Sequence, residues 1–357
     1  MSAVNDDSRR KRIGWLCSYV PEELVIAAGL EPVRMIGREE EIKKADAYIP
    51  PNFCPYLKSI LDSGLRDGFK DIGGIIFTNS CDGMRRLHDL WNNYVQTPPS
   101  YMLEVPKNRD DVAINYFSEQ LLKLKTWLEK VYKVDISDDK LEDAISAMND
   151  RRSAIMELFE KQKELHPPLE GSELLELCLE EMTRPKDETT VKLKTFAEKI
   201  KISVSSDSKI SRIMIIGNVV DKPDLFNIVE TAGASVVVFD TCTGLRHYSD
   251  PIENSHDPIK NLALRYLLKP PCPRTPGFDE RIERIEQLTK DYSTDGIIYS
   301  NLKFCDYGLF DAPAIEKHLR NRSVPFLTID NDYFRGDEGQ IKTRIEAFVE
   351  MILEEKR

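Results

Sequence analysis

Two stretches of this sequence are built alike. Residues 73–87, GGIIFTNSCDGMRRL, and residues 295–310, DGIIYSNLKFCDYGLF, each run from an apolar strand through a polar turn to a Cys-Asp pair. In the first, Met84, Leu87 and Leu90 then fall on one face of a helix. Short apolar strands feeding helices belong to α/β sheets, where ligands collect at the carboxyl ends of the strands. Cys81 and Cys305 stand at such ends, which constrains both the fold and the place where chemistry can happen.

The flanking sequence extends this alternation. Strands are expected at 12–16, 31–36 and 100–105, with helices at 22–29 and 56–65. Pro21 suits a helix start and Glu22 and Glu23 suit its positive end. The loop YIPPNFCP, residues 48–55, carries Cys54. From about residue 110 to 202 glycine nearly disappears and helical periodicity takes over, as in the stripe Phe117, Leu121, Leu124, Leu128 and Val131. The last third returns to strands at 212–217, 234–239, 296–300 and 325–329, with helices at 224–231, 279–292, 312–320 and 339–354. The stretch from Leu245 to Phe278 is polar and proline-rich and is read as irregular. The expected fold is α/β: a disordered 1–10, an α/β domain at 11–107 with Cys54 and Cys81, a helical domain at 108–204, and an α/β domain at 205–357 with Cys242 and Cys305.

A net charge of −11 over 357 residues argues against a nucleic-acid partner. No apolar run reaches the length of a membrane span, and the polar N-terminus lacks the apolar core of a secretory signal, so a cytoplasmic protein is expected. The seven cysteines are odd in number and widely spaced, and no C-x-x-C pair is present. A disulfide scaffold, a zinc ribbon and a thioredoxin motif are therefore disfavoured. There is no G-x-x-x-x-G-K-[ST] and no G-x-G-x-x-G after a strand, so neither a P-loop nor a dinucleotide site is supported. Cys54, Cys81 and Cys305 either converge as thiolate ligands or are unrelated thiols; spacing alone does not choose.

Several motifs together resemble the 2-hydroxyacyl-CoA dehydratase and benzoyl-CoA reductase family: GWLCSYVPEELVIAAG from Gly14, NFCPYLKS around Cys54, SCDGMRRL around Cys81, DTCTGLRHY around Cys242, LKFCD at Cys305, then VPFLTIDNDY and GQIKTRIEAFVE. The resemblance implies two Rossmann-like parallel-sheet domains with a helical domain between them. It implies a [4Fe–4S] cluster held by Cys54, Cys81 and Cys305, with Cys242 and Cys272 as second-choice ligands. It implies an acyl-CoA substrate, a homologous second subunit in a homo- or heterodimer, and a separate ATP-hydrolysing iron–sulfur activator. The implied reaction is removal of water from a 2-hydroxyacyl-CoA. The thioester carbonyl binds the open iron, and one electron makes a ketyl radical that expels the hydroxyl. A proton otherwise too weakly acidic for a protein base can then leave. A benzoyl-CoA reductase-type subunit, a double-cubane reductase and a non-catalytic electron-relay subunit are the alternatives.

Further residues are candidates on the same resemblance. Glu23 is a polar or proton-handling group, or else a carboxylate favoured by the helix dipole. Ser18 is a hydrogen-bonding partner for substrate, against a turn or cap role. Arg85, Arg86, Lys303 and Arg344 are candidates for the CoA phosphates, against solvated surface charge.

Overall fold

The computed structural model describes residues 12–37, 42–95, 99–199, 210–253, 257–332 and 338–355. The expectation of disorder for residues 1–10 lies outside them. The chain divides into two units. Unit one comprises Met1–Ser153, Met182–Glu188 and Asp250–Pro276; unit two comprises Ala154–Glu181, Thr189–Ser249 and Gly277–Arg357.

In chain order, the first sheet is built from β1 (Arg12–Trp15), α1 (Glu22–Ala27), β2 (Glu31–Arg34), α2 (Pro55–Leu65), β3 (Gly74–Thr78), α3 (Asp82–Tyr94) and β4 (Ser100–Leu103). Four helices follow without a strand: α4 (Asp111–Tyr132), α5 (Asp138–Lys161), α6 (Gly171–Thr183) and α7 (Lys186–Lys199). The second sheet then forms from β5 (Ser211–Gly217), α8 (Asp224–Thr231), β6 (Ala234–Asp240), α9 (Leu245–Tyr248), α10 (Pro258–Leu268), α11 (Phe278–Asp291), β7 (Gly296–Leu302), α12 (Asp306–Arg320), β8 (Phe326–Asn331) and α13 (Glu338–Glu355).

Every strand pairing in both sheets is parallel. The first sheet has the order β2-β1-β3-β4 and the second β6-β5-β7-β8, so the topology repeats strand for strand. Parallel strands with covered faces need continuous apolar runs. The central strands β3, β5 and β7 meet that need and are buried at every position, as is the edge strand β6. In this order the direction of winding reverses between the first and third strands of each sheet, and that is where a crevice opens beyond the carboxyl ends. The crevice of the first sheet lies beyond β1 and β3; that of the second lies beyond β5 and β7.

Aromatic side chains pack within each unit. In unit one Trp91 lies against Phe77, with ring centroids 5.9 Å apart. In unit two Phe239 lies between Phe159 at 5.0 Å and Phe226 at 5.1 Å. No described helix is long and apolar enough to cross a membrane.

The polar stretch after Gly244 is not irregular throughout. It contains α10, capped by the Asp257 side chain on the Lys260 N–H (2.9 Å) with Pro258 in the first turn. The prolines at 270, 271 and 273 obscured that signal, although PIKNLALRYLL is a sound helix sequence once Asp257 is read as its cap. Likewise α12 starts at Asp306 and not near 312, because Cys305 is its N-cap and Pro313 is accommodated inside it.

Candidate functional site

Cys54 and Cys81 both begin helices of unit one. Cys54 is the N-cap of α2, with Pro55 in the first turn. Within α2 the Asp62 carboxylate accepts the backbone N–H groups of Lys43 (2.9 Å), Lys44 (2.6 Å) and Ala45 (3.0 Å), tying the helix that Cys54 begins to the segment before its loop. Burial opposes the charge on Asp62, but those three donors and Arg66 outweigh it and hold the carboxyl below the usual range. Cys81 is the N-cap of α3, and its sulfur accepts the Met84 N–H at 3.3 Å.

The two helices pack together. Gly83, in the first turn of α3, shows how closely: a Cβ there would lie 2.8 Å from Leu57 Cδ1, 3.7 Å from Phe53 Cζ and 3.9 Å from Cys81 Sγ. The start of α3 thus meets the segment on either side of Cys54. A side chain there would require Leu57 to shift.

Cys305 repeats the arrangement in unit two, as the N-cap of α12 immediately beyond β7. Phe304, just before it, has a left-handed backbone with φ of 60°. Gly308 lets α12 close on Asn301 and Asn218, where a Cβ would collide with both amides. Asn218 donates to Asn301 at 3.1 Å, joining the exits of β5 and β7. Cys242 follows β6 and donates its backbone N–H to Asn218 O at 3.3 Å. The preceding Asp240 is held below the usual carboxylate range by Arg284 and Arg246 despite its burial.

Around the exit of β1, unit one contains a buried charged network. Ser18 is buried, and its carbonyl accepts the Lys269 ammonium. Glu23 is fully buried, paired with Arg152 and accepting the Tyr266 hydroxyl at 2.8 Å. Burial works against the charge on Arg152, but Glu23 keeps the Arg152 pKa above its ordinary value, whereas burial and the neighbouring Arg152 lower Arg265 to about 10. Cys272 lies 3.7 Å from the Tyr19 hydroxyl, and burial together with Cys272 raises the Tyr19 pKa well above its ordinary value.

The candidate phosphate-binding cations are divided between the two units. Arg85 and Arg86 lie exposed on α3, where Arg86 pairs with Asp82 at 3.6 Å and Asp89 at 3.8 Å. Lys303 pairs with Asp332 at 3.4 Å, and Arg344 donates to Thr328 O at 2.8 Å. Among the described residues, no three His, Cys, Asp or Glu side chains are grouped as a metal site. None of the seven cysteines is disulfide-bonded.

The family description 2-hydroxyglutaryl-CoA dehydratase, D-component, fits residues 17–352. The chain belongs to that family. It is 26% identical to the putative dehydratase subunit YjiM of Escherichia coli, covering 95% of this chain and 91% of that protein. It is 26% identical to the (R)-phenyllactyl-CoA dehydratase beta subunit of Clostridium sporogenes, covering 97% and 93%. It is 25% identical to a benzoyl-CoA reductase subunit of Thauera aromatica, covering 97% and 92%.

Within this member of the dehydratase D-component family, the buried cations are what sequence reasoning missed. Arg152, Lys269 and Arg274 look like surface charges in a one-dimensional reading, because such residues are seldom fully buried. The one available signal was the pair of cations bracketing the proline-rich KPPCPR, residues 269–274.

Proposed function

We propose that the chain is one subunit of a 2-hydroxyacyl-CoA dehydratase, binding a [4Fe–4S] cluster through Cys54, Cys81 and Cys305 and acting with a homologous second subunit. The observation that carries the reading is local and repeated. Each of the three cysteines is the N-cap of a helix, and two of them follow the third strand of their sheet. Helix starts present N–H groups to anionic sulfur, and the Met84 N–H already lies on Cys81 Sγ. The donor set therefore fits an iron–sulfur group.

Such a cluster, with three protein ligands, supplies one low-potential electron and an open iron for a thioester carbonyl. The chain's own residues provide the surroundings. The starts of α2 and α3 set the two sulfurs of unit one. Glu23, locked by Arg152 and Tyr266, holds the start of α1, and the Ser18 hydroxyl is a second candidate for a substrate contact. Arg85 and Arg86 offer cationic charge for CoA phosphates on the helix that Cys81 begins. The electron comes from a separate ATP-hydrolysing iron–sulfur protein, in keeping with a sequence that contains no P-loop.

Similarity to the benzoyl-CoA reductase protein of Thauera aromatica supports a second reading, reduction of an aryl-CoA. Electron counting separates the two: dehydration returns its electron each turnover, whereas aryl reduction consumes two. The test of the cluster is iron and sulfide analysis with electron paramagnetic resonance on protein purified without oxygen. Cys81→Ala is expected to lose the cluster and the activity while the chain still folds. Full iron occupancy in that variant sinks the ligand assignment.

A further inference from the structure

The segment that follows α10 crosses the carboxyl edge of the first sheet and ties its strand exits together. Lys269 donates to the carbonyl of Ser18, beyond β1. Arg274 donates through Nε to Ser80 O at 3.1 Å, beyond β3. Its other two nitrogens donate to Pro106 O at 3.1 Å and Val105 O at 3.0 Å, beyond β4. Tyr19 sits between the two cations, its ring centroid 4.5 Å from Lys269 Nζ and 5.0 Å from Arg274 Cζ. Lys269, Arg274 and Tyr19 are all buried.

The exits of β3 and β4 are also bonded to each other. Asn79 accepts the Val105 N–H at 2.8 Å through its side chain and donates its own N–H to Leu103 O at 3.3 Å. Ser80 Oγ accepts the Thr78 hydroxyl at 2.9 Å. Arg274 thus grips both exits from outside the sheet, and one of its three acceptors is the carbonyl immediately before Cys81. A guanidinium is suited to this task, because its donors diverge in a rigid plane and reach three fixed oxygens at once.

We propose that Arg274 is a positioning residue for Cys81: by clamping the Ser80, Val105 and Pro106 carbonyls it fixes the turn from which the Cys81 sulfur projects. This rests on the reading of Cys81 as a cluster ligand and adds a residue from a distant part of the chain to that site. Arg274 does not touch the sulfur; it acts through the peptide that carries it. Lysine in its place keeps the charge but can reach fewer of the three oxygens, and methionine keeps only the packing.

The test compares Arg274→Lys and Arg274→Met with the unchanged full chain, purified without oxygen, by hydrogen-exchange mass spectrometry. Faster exchange is expected across residues 79–86, which include the Met84 N–H on Cys81, with residues 54–60 at the start of α2 unaffected. The methionine variant is expected to exchange faster than the lysine one. Equal acceleration in both segments means general loosening and overturns the proposal, as does no acceleration in either. In iron-loaded protein reduced with dithionite the paramagnetic resonance lines are expected to shift in Arg274→Met, and unaltered lines count against it. If the unchanged chain binds no iron, the cluster reading fails, and the exchange comparison still decides the role of Arg274.

Discussion

Replacing Arg152 by methionine removes the cation that faces a carboxylate with no access to water. The Glu23 and Arg152 side chains are 0% and 4% exposed. Arg152 also bonds Asn149 at 3.1 Å and lies 3.4 Å from the Tyr266 hydroxyl, while Tyr266 donates to the other oxygen of Glu23 at 2.8 Å. The variant keeps the tyrosine bond and strands the charge, a situation that costs about 3–5 kcal/mol. Adding Glu23→Gln removes the stranded charge and keeps a neutral acceptor for Tyr266. The double variant then lacks only one or two hydrogen bonds of about 1 kcal/mol each. All three tryptophans, Trp15, Trp91 and Trp127, belong to unit one, so their fluorescence follows the unit that contains the pair. At about 2–4 °C per kcal/mol for a unit of this size, the single variant is expected to melt about 6–20 °C below the unchanged chain. The double variant is expected to recover at least half of that loss. A double variant no more stable than Arg152→Met, or a single variant that melts with the unchanged chain, refutes the argument that the pair is buried and coupled.

The remaining expectations concern the helices that the cysteines begin. Asp62→Asn is expected to destabilise unit one by about 1–3 kcal/mol at neutral pH, because the carboxylate serves three backbone donors. Since the Asp62 pKa is lowered on folding, its contribution is complete above the ordinary aspartate value of about 3.9 and is lost as the pH falls through the lower folded value. Urea titrations from pH 7 down to pH 3 should therefore show the gap between variant and parent closing in acid; a gap that widens contradicts the linkage. Gly308→Ala is expected to cost unit two about 1–3 kcal/mol by forcing α12 away from Asn218 and Asn301. A net gain in its unfolding midpoint would show instead that the helix preference of alanine, about 1 kcal/mol, prevails.

The strands and the sites of the cysteines were legible because their signals are local. The run GIIF followed by a polar turn and a patterned helix dictates β3 and α3 without reference to anything distant. The same logic gave α8 as residues 224–231, where Pro223 and Gly233 bracket the helix. What the sequence concealed depends on partners far along the chain. Glu23 reads as an N-terminal helix carboxylate, yet its neighbours Arg152 and Tyr266 are 129 and 243 residues away. Arg274 reads as a charge in a proline-rich loop, and its acceptor at Ser80 is 194 residues away. No periodicity encodes such pairings, and a buried arginine has the same one-letter symbol as a solvated one.

The clamp by Arg274 also imposes an order on synthesis. The first sheet is complete in sequence at Leu103, but the side chain that ties its strand exits lies at residue 274. At about 5–20 residues per second, translation takes on the order of ten to thirty seconds to cover that interval. Throughout it the turn carrying Cys81 is held by its strand neighbours and by the segment around Cys54, while the long helices and the first two strands of the second sheet are being made. The latch on this edge of the first sheet is therefore set late, after Cys81 has already met the solvent of the cell.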